Sequence, residues 1–345
     1  MLAHNERTRD HPTVQILSAL GAELVAMLYL LAFVMLVGAA AFHYMVWRKT
    51  SLPLGPVRTA TEEQVVALAV RCGTWSAIAV LLLAIPRALG VASLLDDRYS
   101  LRSRAVALVS RSEWGIGLAA VLGAALLSLI GYRLAARRHV LGWPLVVLAL
   151  PLLAIGSGLQ GHPSDAFTNL TPAPIFDGLH AVGVGGWLGT YMLLVLASGR
   201  VPAHTASPWT DPLGAMLERY FRASGAMATV VLLTGLFSAA THLTTFDDIA
   251  GSQYGHLLAG KVGIVAILMA FNEFHRRHAE RQARTVERPQ LLHTLRFQAG
   301  LVVLVLSLTV LLLDATPPGV NEVRGEVFRS APKGSIQAED IEIER

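Results

Sequence analysis

Long apolar stretches recur along the chain and alternate with shorter polar segments. A helix needs about 20 mainly apolar residues to cross the hydrocarbon core of a bilayer. Stretches of this kind cover roughly residues 20–46, 64–86, 114–133, 140–159, 175–198, 223–243, 256–274 and 296–314. Because unpaired backbone groups are not tolerated in lipid, each stretch is predicted to be a helix. The pattern predicts an all-α fold, a polytopic membrane bundle of eight transmembrane helices.

Composition narrows the class of protein further. Of the 345 residues, 53% are hydrophobic and 15% are charged, whereas soluble domains carry about 25% charged residues. The single cysteine, Cys72, excludes a disulfide framework and any site of paired thiolates. The sequence has no G-x-x-x-x-G-K-[ST] phosphate loop, no H-E-x-x-H motif and no Ser-His-acid arrangement. We therefore expect neither an ATPase nor another enzyme.

The distribution of lysine and arginine predicts the orientation in the membrane. Basic residues concentrate in loops 47–63, 134–139, 199–222 and 275–295, whereas loops 160–174 and 244–255 contain none. Basic loops face the cytoplasm, so both termini are predicted to lie outside, on the periplasmic side of a cell inner membrane. Loop 87–113 carries five arginines yet falls on the outer side by alternation.

Two pairs of similar segments predict an internal repeat. Asp96-Asp97 precedes Ser-Glu-Trp-Gly at 112–115, and Asp247-Asp248 precedes Ser-Gln-Tyr-Gly at 252–255. Tyr29 and Gly38 are nine residues apart, as are His180 and Gly189. An even number of spans repeats in the same orientation. We predict two parallel four-helix units, 18–160 and 161–316, after a polar segment 1–17 that lacks signal-peptide features and before a polar, disordered tail 317–345.

Four histidines from three or four helix ends lie at one depth on the predicted outer side. The predicted metal ligands are His162, His180, His242 and His256, with Asp177 as an orienting carboxylate or a further ligand. Imidazole commonly binds copper, zinc, iron and nickel, and Asp177 shares a helix face with His180, three residues on. A single histidine at a helix end is ordinarily interfacial, but four at one depth favour a metal site. Cys72 lies at the opposite end, so the site must rest on imidazole.

Three other features admit structural and functional interpretations. Lys261, deeper in the seventh span than His256, either snorkels or pairs with a carboxylate, or it repels a cation. Met192 and Met227 lie deeper still and are typical of packing, although thioethers also suit Cu(I). Two histidines at one depth, His180 with His242 or His256, could instead ligate a haem, for which the glycines of the fifth span leave room.

The sequence resembles the copper resistance D (CopD) family of inner-membrane proteins. The matching motifs are Gly161-His162, Asp177-Gly178-Leu179-His180, Trp187-Leu188-Gly189, Leu233-Thr234-Gly235, Tyr254-Gly255-His256-Leu257-Leu258-Ala259-Gly260-Lys261, Phe271-Asn272 and Pro317-Pro318. The resemblance implies eight spans, movement of copper across the inner membrane and a periplasmic copper-binding partner of the CopC type, which is not fused here. Gln298 stands where family members often carry an acidic residue, and Tyr29 where they often carry histidine.

The resulting hypothesis is copper ion transport in copper homeostasis or resistance. The outer histidines would capture the ion, which would cross between the two four-helix units, and their outward position favours uptake. One alternative is a haem-binding electron-transfer protein. Another is a non-transporting protein that delivers copper to an oxidase during assembly, which would bind copper without moving it across the membrane.

Overall fold

The structure, a computed structural model, describes residues 12–50, 56–93, 99–161, 172–201, 212–242, 246–282 and 288–315. Within these ranges the chain is helical and contains no strand. The α-helices are α1 (Pro12–Ala41), α2 (Pro56–Ser93), α3 (Leu101–Arg111), α4 (Glu113–Ala136), α5 (Gly142–Gly161), α6 (Ala173–Val184), α7 (Thr190–Ser198), α8 (Pro212–His242), α9 (Phe246–Gly251), α10 (Gln253–Gln282) and α11 (Arg288–Asp314). A π-helical turn, Gly185–Gly189, joins α6 to α7, and α1 continues into a second π turn, Phe42–Val46.

Eight helical segments in the described residues are long and apolar enough to cross a membrane. They are Leu20–Lys49, Thr59–Ser93, Glu113–Ala136, Gly142–Gly161, Ala173–Ser198, Pro212–Ala240, Gln253–Arg277 and Leu292–Leu313. The predicted all-α bundle of eight membrane helices is confirmed. Helix α1 begins at Pro12, inside the segment expected to precede the first span, whereas the predicted tail 317–345 lies outside the described residues.

The arginine-rich stretch expected to be an outer loop contains helical structure. Helix α2 continues through Arg87 to Ser93, and α3 follows after Ser100, whose Oγ accepts the Ser103 N–H at 3.2 Å. Leu108 of α3 packs with Trp114 and small residues of α2. The Arg87 guanidinium lies 4.4 Å from the centre of the Tyr29 ring. The described part of 87–113 is therefore helical and packed rather than an open loop, and its outer position stays a prediction.

Two glycines allow the first and fifth spans to cross in direct contact. A Cβ built on Gly38 would lie 2.3 Å from the carbonyl carbon of Gly189, and one built on Gly189 would lie 2.2 Å from the Val34 oxygen. No larger side chain fits at either position. The crossing places the π turn Gly185–Gly189 in the buried centre of the bundle, where Trp187 and Leu188 are covered.

The two Ser-x-x-Gly motifs make the same helix cap. Ser112 Oγ accepts the Gly115 N–H at 3.2 Å at the start of α4, and Ser252 Oγ accepts the Gly255 N–H at 2.9 Å at the start of α10. A serine at this position satisfies an N–H group that lacks a partner inside the helix. The motifs thus have a shared local function, and the division into units 18–160 and 161–316 stays a prediction.

Candidate functional site

Polar side chains of α6 and α8 pair at the predicted outer ends of these two helices. Asp177 Oδ1 accepts a hydrogen bond from Ser238 Oγ at 2.6 Å. One turn deeper, His180 Nδ1 lies 3.0 Å from the Val231 carbonyl oxygen and 3.1 Å from Thr234 Oγ1. The helices run antiparallel here, so residues three apart on α6 meet residues four apart on α8. The contact fixes Asp177 and His180 side by side.

The partners of His180 determine which ring nitrogen is protonated. A carbonyl oxygen can only accept, so Nδ1 must donate to Val231. Thr234 uses its own proton toward the Val230 carbonyl, at 2.6 Å, and therefore offers Nδ1 a second acceptor. In a neutral imidazole the proton then sits on Nδ1 and the lone pair on Nε2. No described residue bonds to Nε2, so its lone pair stays available, and a hydrogen bond on the other ring nitrogen is what metal-ligating histidines characteristically have.

Two glycines make room for this pair of side chains. A Cβ on Gly235 would lie 2.9 Å from His180 Cε1 and 3.3 Å from Nδ1. A Cβ on Gly161, the last residue of α5, would lie 2.9 Å from Asp177 Oδ2. Three helices therefore converge on this pair, and its shape depends on glycine at both points.

The structure describes the other three predicted ligands to different extents. His162 lies outside the described residues, although it directly follows Gly161. His242 is the last residue of α8, one turn beyond Ser238, and its side chain is outside the described part. His256 is exposed on α10, while Tyr254, two residues earlier and about 200° away around the helix, is buried. Among the described residues no three His, Cys, Asp or Glu side chains gather as a metal site, so His256 does not join Asp177 and His180.

Helix α10 adds a positive charge near this pair. Lys261 lies within electrostatic range of His180, and Tyr254 lies within range of Asp177. A lysine ammonium opposes a cation bound at His180, while the Asp177 carboxylate attracts one. Lys261 and Asp177 thus have opposite effects on the electrostatic potential at His180.

A second group of buried polar residues lies deeper in the bundle, and the sequence interpretation missed it. The Tyr191 hydroxyl lies 2.9 Å from the Leu295 carbonyl and 2.6 Å from Gln298 Oε1, and it donates its one proton to either acceptor. Gln298 is 1% exposed, and its Nε2 has no partner among the described residues. Tyr220, Trp187 and Asn272 surround the same cavity of about 10 Å³, about the space that one water molecule needs.

In the sequence, the only sign of this group is that polar residues occur inside apolar spans. Tyr191 and Gln298 are 107 residues apart, and their meeting depends on the packing of α7 against α11. Gln298 stands where the family resemblance leads one to expect an acidic residue, but spacing along the sequence does not identify its partner.

Comparison with known proteins gives one match. The family model CopD, described as copper resistance protein D, matches residues 214–312. This stretch runs from the start of α8 to near the end of α11 and includes Thr234, Gly235 and Gln298. No curated protein and no solved structure matches the chain significantly. The predicted resemblance to the CopD family is confirmed over this stretch, which supports a membrane protein related to copper resistance.

Proposed function

We propose that the chain transports copper ions across the cell inner membrane and takes them up from the outer ends of α6 and α8. The family match is to a copper resistance protein, and the eight apolar helices provide a membrane-spanning body. The observation that carries the proposal is the hydrogen bonding of the His180 ring to α8. Its Nδ1 is committed to Val231 and Thr234 of the matched stretch, so that Nε2 is available for a metal ion.

The proposed ligand set builds on His180 and Asp177. His162 and His242 supply further imidazoles, because their neighbours Gly161 and Ser238 both contact Asp177. His256 is proposed as an entry ligand, since its exposed position on α10 suits first contact with the ion rather than the deeper group. Asp177, held by Ser238, orients the imidazoles or binds the ion itself.

A route inward follows polar and soft side chains along the fifth span. Met227 Sδ of α8 lies 3.5 Å from the Cβ position at Gly186, about 9 Å further along the helix axis than His180. Tyr191 and Gln298 follow, about 16 Å beyond His180 by helical rise. Thioether sulfur suits Cu(I), and hydroxyl and amide oxygens coordinate cations less tightly. We propose that an ion passes this sequence of sites and leaves at the end of the bundle rich in arginine, which is the predicted cytoplasmic side.

The same contact argues against a haem at His180. The Phe176 and Phe237 rings stack 4.0 Å apart between α6 and α8, and the imidazole fills the space above Gly235. A haem on Nε2 would have to part these helices. An absorption spectrum of the purified protein tests this directly, because a bound haem gives a strong Soret band.

Copper uptake into membrane vesicles containing the purified chain tests the proposal. His180→Ala should abolish most uptake and lower copper binding, since it removes the one ligand whose geometry is fixed. The matched control is His139→Ala at the opposite end, where Nδ1 of the exposed ring accepts the Leu141 N–H. Unchanged uptake in His180→Ala refutes the proposal. Copper binding without flux in the wild-type chain would instead support the delivery function, in which a CopC-like partner hands copper on.

A further inference from the structure

A large cleft opens between α1, α2 and α7, at the end of the bundle opposite Asp177 and His180. Its volume is about 840 Å³. Its lining includes Met35, Glu63, Arg71, Trp75 and Arg200. This cleft has no part in the proposed copper site, because its charged residues lie at the other membrane surface.

Two guanidinium groups in the cleft have no carboxylate partner among the described residues. Arg71 makes no ion pair there, and the only hydrogen bond of the Arg200 side chain to a described residue is a long one, 3.5 Å from its NH1 to the Leu196 carbonyl. Glu63, the one carboxylate in the lining, pairs with Arg138 at 3.0 Å outside it. The cleft therefore presents two uncompensated positive charges, and an anionic ligand would neutralise them.

The position of Arg71 on α2 places its charge at a membrane boundary. Residues 72–86 contain no charged side chain, so Arg71 stands at the beginning of the apolar part of the helix. Trp75 lies one turn deeper and is 69% exposed. Tryptophan is favoured where the headgroups meet the acyl chains. Arg200 follows the end of α7, which packs against α2 at the same level.

We propose that this cleft binds an anionic phospholipid, with Arg71 and Arg200 on its phosphate and the surface of Trp75 and Met35 against its acyl chain. Basic pockets between membrane helices on the cytoplasmic side bind acidic headgroups in this way. The occupant is a lipid rather than a free phosphate, because the cleft continues from the charges along apolar residues of a spanning helix. The positive-inside orientation predicts the cytoplasmic leaflet, where anionic lipids are abundant.

Native mass spectrometry of the delipidated, full-length protein in detergent tests this site. Phosphatidylglycerol and phosphatidylcholine with identical acyl chains are titrated in parallel. The wild-type chain should prefer phosphatidylglycerol, and Arg71→Gln and Arg200→Gln should each reduce its affinity by about fivefold. Affinity for phosphatidylcholine should not change, because it carries no net charge.

Matched controls separate a specific site from general surface charge. Arg133→Gln removes an exposed arginine at the same end of α4, outside the cleft, and should leave the preference intact. Arg71→Lys keeps the charge and should retain most of the affinity. If one glutamine variant does not fold, the other decides. The proposal is overturned if wild-type protein shows no preference, if the glutamine variants keep it, or if millimolar inorganic phosphate displaces the lipid completely.

Discussion

The substitution Gly235→Ala tests whether the His180 ring packs on Gly235 and bonds to Val231 as described above. The added methyl group would stand 2.9 Å from His180 Cε1 and 3.3 Å from Nδ1, both shorter than ordinary carbon contacts of about 3.5–4.0 Å. The imidazole must therefore move away from α8. This movement lengthens the hydrogen bond from Nδ1 to Val231 and rotates Nε2 out of its present direction.

The expected size of the effect follows from three opposing terms. Alanine in a helix interior is favoured over glycine by about 1 kcal/mol. Overpacking costs about 1–3 kcal/mol, and an interhelical hydrogen bond in a membrane protein contributes about 0.6 kcal/mol. The free energy of unfolding should thus fall by about 0.6–2.6 kcal/mol. Copper affinity should fall by about 10–100-fold, as when the hydrogen-bond partner of a ligating histidine is lost.

Gly225 on the same helix provides the control. Nothing lies within 4 Å of a Cβ built there, so Gly225→Ala should raise the unfolding free energy by up to about 1 kcal/mol through helix propensity alone. Thermal unfolding in detergent and copper uptake into vesicles are measured for both variants. If Gly235→Ala behaves like Gly225→Ala in both assays, the imidazole does not occupy the space above residue 235, and the tautomer argument fails with it.

Four further substitutions test other contacts. Tyr191→Phe removes the hydroxyl shared by Leu295 and Gln298, and it should lower the free energy of unfolding by about 0.6–1.5 kcal/mol, measured by thermal unfolding. Copper uptake should fall if this cluster lies on the route, and it should stay unchanged if the cluster serves only stability. Gly38→Ala sets a methyl group 2.3 Å from the Gly189 backbone, so expression and unfolding temperature should fall far more than in Gly225→Ala, and an unchanged stability would contradict the helix crossing. Ser112→Ala and Ser252→Ala should each cost about 1 kcal/mol through the lost cap, and unequal losses measured by denaturation would show that the two caps differ in strength.

The eight spans could be predicted because the bilayer sets a minimum apolar length, which the sequence displays without reference to any other segment. Their ends could not, since α2 and α8 continue as helices into residues that are polar or charged. The same limit explains α3. Its segment holds Arg102, Arg104 and Arg111 among apolar residues, a composition typical of a surface loop, and only the contact of Leu108 with α2 and α4 reveals a packed helix.

The candidate site shows where local pattern stops being informative. The three-residue spacing of Asp177 and His180 is visible in the sequence and correctly predicts a shared helix face. Ser238 and Thr234, by contrast, are 61 and 54 residues away from their partners, so only the packing of α6 on α8 identifies them. The resemblance motif Leu233-Thr234-Gly235 now has a physical basis: Thr234 helps to fix the protonated nitrogen of His180, and Gly235 leaves space for its ring.

Gly38 and Gly189 connect the predicted repeat to the three-dimensional structure. They were matched as equivalent positions of the first and fifth spans, and they are in direct contact in the bundle. Two equivalent residues of parallel repeats can touch only at the axis that relates the two repeats, because rotation about that axis exchanges them. If the repeat is real, its axis passes through this glycine pair, beside the π turn that carries Gly186. The proposed route past Met227 then runs close to that axis, where equivalent spans of the two units approach each other most closely.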